Sequence, residues 1–145
     1  GFHGHNNLSL SVYNSIVALQ AGAQIIDASI KGFGAGAGNT PLEVLVGVLT
    51  KYNFDTGIDL YKVLDLADLA EEKLIEKPIT ISPLSIVGGL SSVFSAFSNQ
   101  IKTVSREYNV DPRDVFFELG KEKVIGGQED KIVEVAIRLS KRLGK

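Results

Sequence analysis

The 145-residue chain has no cysteine, no methionine and no tryptophan. Without cysteine there is no disulfide, no zinc-thiolate site and no thiol nucleophile, a composition that fits a reducing cytoplasm. Histidine is almost missing too: His3 and His5 are the only two. Neither sign of charge is in excess. The net charge of -2, the pI near 5.7 and the scatter of Lys and Arg argue against nucleic acid and against an anionic membrane surface as partners. No apolar run approaches the ~20 residues that cross a bilayer, and no signal-peptide pattern occurs. What remains is 44% hydrophobic and 22% charged, the profile of a globular protein with a sizeable core. With no methionine to mark an initiation site, the chain opens inside a predicted strand, so a substantial N-terminal portion is expected upstream.

Along the chain the hydrophobic pattern changes once. Phe2 and the histidines fit a short strand. Asn6 or Asn7 is placed to cap a helix over residues 8–21, with Leu8, Val12, Ile16 and Leu19 as its apolar stripe and Gly22 as its stop. Residues 23–29 read as a buried strand, completing a parallel βαβ unit. After the glycine-rich segment 31–39, Thr40-Pro41-Leu42-Glu43 has the form of a capping box with Pro at the first helical position, starting a helix to about Tyr52. Beyond residue 54 the signal is helical: residues 58–76, then 84–108 with a break at Gly88-Gly89, then a helix from Asp111-Pro112, then 128–143. Ile79–Ile81 is the only possible extended piece. The expected organisation is an α/β part over 1–54 followed by an all-α part over 55–145.

The residues that carry chemistry lie in the first part. In a strand, residues i and i+2 point the same way, so the imidazoles of His3 and His5 can converge on one point. That suits two ligands of a divalent metal better than a proton relay; the plain alternative is two polar residues at a strand end. The alternating glycines Gly32, Gly34, Gly36 and Gly38 feed a helix N-terminus, where anions are favoured. They match neither the P-loop nor the dinucleotide-binding spacing. A tight backbone crossing over a crowded site is the simpler reading, and a phosphate cradle the other. Either places the loop at the C-terminal end of a strand, where α/β active sites lie.

Taken together, His3-Gly4-His5-Asn6-Asn7-Leu8-Ser9-Leu10, Asn14-Ser15-Ile16-Val17-Ala18, Asp27-Ala28-Ser29 and Gly34-Ala35-Gly36-Ala37-Gly38-Asn39-x-Pro41-Leu42-Glu43 resemble, in register, the 4-hydroxy-2-oxovalerate aldolases. These belong to the metal-dependent TIM-barrel group that includes the HMG-CoA lyases and isopropylmalate synthases. The helical half continues the likeness through Asp59-Leu60-Tyr61, Tyr108-Asn109, Glu118-Leu119-Gly120 and Gly126-Gly127-Gln128-Glu129-Asp130. The resemblance implies that residues 1–54 are the last two βα units of a (β/α)8 barrel and residues 55–145 a helical communication domain. It implies that His3 and His5 bind a divalent metal, manganese first, with magnesium or cobalt as alternatives, and that His3 also lies at the substrate. The catalytic base, an arginine and an aspartate ligand belong, by the same resemblance, to an upstream segment, leaving no catalytic residue in this chain.

The implied reaction is retro-aldol cleavage of a 4-hydroxy-2-oxoacid to pyruvate and an aldehyde, the metal acting as Lewis acid on the 2-keto group. The helical part is implied to dock an acylating acetaldehyde dehydrogenase that receives the aldehyde through a channel. One position departs from the family. Where its substrate pocket carries a tyrosine, this chain has Phe94, and a preceding family aromatic falls at Leu90. Read without the family, Phe94 is a core aromatic beside Phe97. Asn39 and Asp27 are expected around the metal site, Asn39 as a contact or a loop cap, Asp27 orienting a ligand histidine or anchoring the turn. The four tyrosines read as packing residues, and Ser91, Ser92, Ser95 and Ser98 as a polar helix face. The competing functions are a non-catalytic docking module and a Claisen-type acyl-CoA synthase or lyase. Taken alone, the chain is expected to bind metal poorly and to be inactive, and open strand edges favour self-association into a homo-oligomer.

Overall fold

A computed structural model describes residues 1–144, which fall into two compact units, Gly1–Ile81 and Ser82 onward. In the first, strands β1 (Phe2–His3) and β2 (Ile26–Asp27) pair in parallel, Phe2 opposite Ile26 and His3 opposite Asp27. Helix α1 (Ser11–Gln20) is the crossover that parallel pairing requires. The predicted strand–helix–strand order is present, with shorter strands.

Helix α1 starts three residues later than predicted, because Ser9 takes a left-handed φ of 61°. Asn6 still serves its first turn: its Oδ1 accepts from Ser11 N at 3.4 Å and from Ser11 Oγ at 2.9 Å. The buried face is not the apolar stripe. Ser11 and Ser15 are wholly buried, whereas Val12, Ile16 and Leu19 line an open groove of about 880 Å³ with Val48 and Tyr52. The reason is close approach: a Cβ on Gly4 would lie 3.5 Å from Ser11 O and 3.0 Å from Thr40 Oγ1, leaving room only for small side chains.

Helices α2 (Leu42–Lys51) and α3 (Leu60–Lys73) complete the unit. The capping box expected at Thr40 does not form. Pro41 is the N-cap, and no side chain caps the helix. The Thr40 hydroxyl is instead drawn inward to Ser15, and Glu43 Oε2 accepts from Lys31 N at 2.9 Å. Asp59 does cap α3, accepting from Lys62 N. Helix α3 buries Val63, Ala67 and Ala70, packing on α2 and on the 3-10 turn Ile30–Gly32. The compact unit therefore runs to Ile81, past the change of pattern at residue 54. Residues 79–81 form no strand.

The second unit is helical: α4 (Pro83–Ser91), a 3-10 turn (Ser95–Phe97), α5 (Ser98–Glu107), α6 (Pro112–Lys121) and α7 (Asp130–Arg142). Its core is a cluster around Ile101, Val115, Phe116, Leu119, Ile132 and Val135, all with no exposed surface. The break predicted at Gly88-Gly89 falls instead at Ser92, which is left-handed with φ 55°. Gly88 stays helical because the Phe116 ring sits where its side chain would go, with a Cβ there 3.3 Å from the ring. The serines flanking the break form no polar face. Ser95 is buried, Ser91 Oγ donates to Val87 O and Ser98 Oγ to Ser95 O. Of the tyrosines, only Tyr108 packs on the core; Tyr13, Tyr52 and Tyr61 are exposed. Helix α6 starts at Asp111-Pro112 as predicted, and Asp111 caps it, accepting from Arg113 N at 2.8 Å. Among the described residues no helix is long and apolar enough to cross a membrane.

Candidate functional site

The parallel register decides what His3 meets. Opposite it on β2 is Asp27, whose Oδ2 lies 2.7 Å from His3 Nδ1. An ionised carboxylate can only accept, so the contact takes a proton on Nδ1, and in the neutral imidazole the lone pair is then on Nε2. A carboxylate on one ring nitrogen and a free lone pair on the other is the arrangement in which histidine ligates metals. Both side chains are exposed, at 45% and 66%, so the pair is open to an incoming ion.

His5 lies beside it, ring centroids 4.9 Å apart and planes at 80°. Both rings therefore sit on one side of the segment, as the spacing predicted. The His5 Nδ1 is buried and makes no hydrogen bond to the described residues. A buried, unsatisfied ring nitrogen is costly unless something else fills the position.

The glycine-rich loop crosses directly against this segment. Asn6 N donates to Gly38 O at 2.8 Å and Thr40 N to Gly4 O at 3.0 Å, so that His5 bridges antiparallel to Asn39. The loop also closes on itself: Asn39 N donates to Gly32 O at 2.8 Å, and Asn39 Nδ2 to Phe33 O at 3.2 Å. At Gly38, φ is +84° and a Cβ would stand 2.2 Å from Gly32 O, so only glycine fits. This is the tight backbone crossing of the two readings of the loop. The Asn39 Oδ1, like His5 Nδ1, is buried and makes no hydrogen bond among the described residues. On the loop's other flank, Lys31 is left-handed at φ 54°, and its Nζ pairs with Glu71 at 2.6 Å, which raises the Lys31 pKa above its ordinary value.

The structure thus brings His3, His5, Asp27 and Asn39 together. Among the described residues no group of three His, Asp or Glu converges to hold a metal. Phe94 belongs to the second unit, where it precedes the 3-10 turn, is 47% exposed and meets the buried Phe97 edge-on at 5.5 Å. It is a partly exposed aromatic rather than a core one. Sequence reasoning missed Ser11, Ser15 and Thr40, the buried hydroxyls beneath the His3–His5 segment. Their signal was small polar residues at i and i+4 on a helix, which reads as a solvent face until the tight glycine at position 4 is considered.

Comparison with known proteins agrees with this division. A family model described as HMGL-like, a TIM-barrel family, matches residues 1–70, and one described as a DmpG-like communication domain matches residues 79–141. A 4-hydroxy-2-oxovalerate aldolase from Pectobacterium atrosepticum is 59% identical over 142 residues, 98% of this chain and 41% of the relative. Proteins of the same name from Streptomyces tendae and Geobacillus stearothermophilus are 59% and 49% identical over 95% and 98% of the chain. The chain spans about two-fifths of the length of these relatives. Along nearly its whole length, then, the chain belongs with the C-terminal portion of the 4-hydroxy-2-oxovalerate aldolases.

Proposed function

We propose that this chain supplies the histidine ligands and the partner-docking portion of a divalent-metal-dependent aldolase. The reaction is cleavage of 4-hydroxy-2-oxoacids, 4-hydroxy-2-oxovalerate in particular, to pyruvate and an aldehyde. The observation that carries the reading is the Asp27-oriented His3 beside His5, whose Nδ1 is buried and unpartnered. Neutral imidazoles with a carboxylate and water suit a hard or borderline cation, manganese first and magnesium or cobalt after it. A cation held by His3 and His5 supplies Lewis-acid polarisation of the 2-keto group.

The chain's own residues act as holders. Asp27 fixes the His3 tautomer, so that Nε2 is presented as a lone pair. The crossing at Gly38 fixes His5, and Asn39, bridged to His5 through the backbone, would offer its side chain as a polar contact for ion or substrate. Phe94, in place of the family's tyrosine, offers substrate an apolar edge without a hydroxyl. The base that takes the C4 hydroxyl proton, an arginine and a further carboxylate ligand lie outside these residues. Residues 1–54 are read as the last two βα units of a barrel. The helices matched by the communication-domain model would dock an acylating acetaldehyde dehydrogenase that takes up the aldehyde.

The test is pyruvate release from 4-hydroxy-2-oxopentanoate with Mn²⁺, comparing this chain alone with the same residues joined to an upstream barrel segment from a relative. Activity is expected only in the joined protein and is expected to vanish with His3→Ala or His5→Ala. Turnover that survives both substitutions would remove the histidines from the site. Turnover by the chain alone would overturn the placement of the base.

A further inference from the structure

The structure points to one more pair of residues in this site. We propose that Ser15 and Thr40 are positioning residues: their buried hydroxyl contact sets where the glycine-rich loop crosses the His3–His5 segment, and through it where His5 sits. The inference deepens the metal-site reading above and rests on it.

Both hydroxyls are completely buried, and each has one proton to place. Ser15 Oγ donates to Ser11 O at 2.8 Å, which uses its proton. The contact between Ser15 Oγ and Thr40 Oγ1 at 3.1 Å is therefore donated by Thr40. Thr40 Oγ1 is also within donor range of Gly4 O at 3.4 Å, the longer of its two contacts, and that carbonyl already accepts from Thr40 N at 3.0 Å. Ser11 Oγ passes its own proton to Asn6 Oδ1 at 2.9 Å, and Asn6 N donates to Gly38 O. The hydrogen bonds form a closed circuit from Thr40 through Ser15, Ser11 and Asn6 back to the loop. His5 is held in the middle, between the backbone bonds of Gly4 and Asn6.

Thr40 is the position where this circuit couples helix, histidine segment and loop at once. Replacing Oγ1 by a methyl of the same shape removes the donor. A methyl also needs a few tenths of an ångström more than the 3.1 Å now separating Thr40 from Ser15. The loop exit must then shift relative to Gly4, and His5 and Asn39 shift with it.

The experiment uses the 145-residue chain with Thr40→Val, Thr40→Ser and Ser15→Ala. With only two histidines, the imidazole region of the NMR spectrum reports this site alone. Without metal, Thr40→Val is expected to move the His5 ring signals and to speed amide exchange at Asn6 and Thr40 about five- to tenfold, the loss of one hydrogen bond. Thr40→Ser should restore both. Ser15→Ala, which keeps the threonine in place, should shift the same signals less. With Co²⁺ as probe, Thr40→Val should weaken binding about tenfold or more, the size expected when support for a ligand is removed.

A merely structural role would lower the melting temperature and leave His5 and Co²⁺ binding unmoved. That result in both Thr40→Val and Ser15→Ala overturns the proposal. Binding by the chain alone is expected to be weak, so Co²⁺ is used in large excess; if it then disturbs neither ring of the unsubstituted chain, the metal reading falls, and the metal-free signals still decide the positioning role. If Thr40→Val does not fold, Ser15→Ala decides alone.

Discussion

Gly38→Ala isolates the cost of the backbone crossing that holds His5. The added Cβ meets two penalties. One is conformational: φ is +84°, where an L residue loses about 1–2 kcal/mol. The other is steric, because the Cβ would stand 2.2 Å from Gly32 O, a backbone atom that cannot swing aside. Relief requires the strands of the loop to part, which breaks Asn39 N to Gly32 O and strains Asn6 N to Gly38 O. Each such bond contributes about 0.5–1.5 kcal/mol, so the expected total is roughly 2–5 kcal/mol. Gly22→Ala is the control. Its φ is +99° but nothing lies within 4 Å of the new Cβ, so only the conformational part applies. Urea unfolding followed at amide signals of the Gly1–Ile81 unit gives both values under one condition. Gly38→Ala should also speed exchange at Asn6 and Asn39, which Gly22→Ala should leave alone. If Gly38→Ala costs no more than Gly22→Ala, the loop is not pinned by close contact and the account of how His5 is held fails.

Three further perturbations follow from the same geometry. Asp27→Asn keeps the shape opposite His3 but offers a donor or a weaker acceptor, and should weaken Co²⁺ binding by about 10–100-fold with little change in melting temperature. Asp111→Ala removes the cap of α6 and should cost about 0.5–2 kcal/mol by denaturant titration, with Asp111→Asn costing less because the amide still caps. The Arg113 side chain and backbone N–H hold the Asp111 carboxyl down at about 2. A lowered carboxylate stabilises the fold fully above its unfolded pKa of about 3.9. That contribution should fade as pH falls from about 4 toward 2, and an acid titration of Asp111→Asn should lack that part of the loss. Gly120→Ala would place a Cβ 2.3 Å from Ser91 O where α6 crosses α4; it should unfold the second unit at markedly lower urea, seen in the Val115 and Phe116 amides.

The parts of the fold legible from residue order were those decided within a few positions. The helix start at Asp111 is local and lies where the sequence places it, whereas the equally local cap at Asp59 went unread. The parallel βαβ unit was readable because a helical pattern between two short strand patterns is the crossover that parallel pairing requires. What could not be read locally was each case where a distant residue outbid a near one. Thr40 had a capping box within reach, but Ser15, twenty-five positions away, recruited its hydroxyl, and Lys31 took Glu43. Gly88 looked like a helix breaker, yet Phe116 turned it into a packing contact and the break moved to Ser92. For the site, the same-side placement of His3 and His5 followed from strand periodicity, whereas the Asp27 partner needed the register and the Asn39 contact needed the loop crossing.

The circuit under the histidines joins residues 36 apart in sequence, Gly4 and Thr40. Closing a segment of that length costs entropy that grows with the logarithm of its length and is not recovered until the far contacts form. The site therefore cannot ripen in step with its own strand. His3 and His5 leave the ribosome before Thr40 does, so the loop crossing that holds His5 can form only once the segment through Thr40 has followed and folded back. On the metal-site reading proposed above, an ion met before closure would engage two freely rotating imidazoles and gain little.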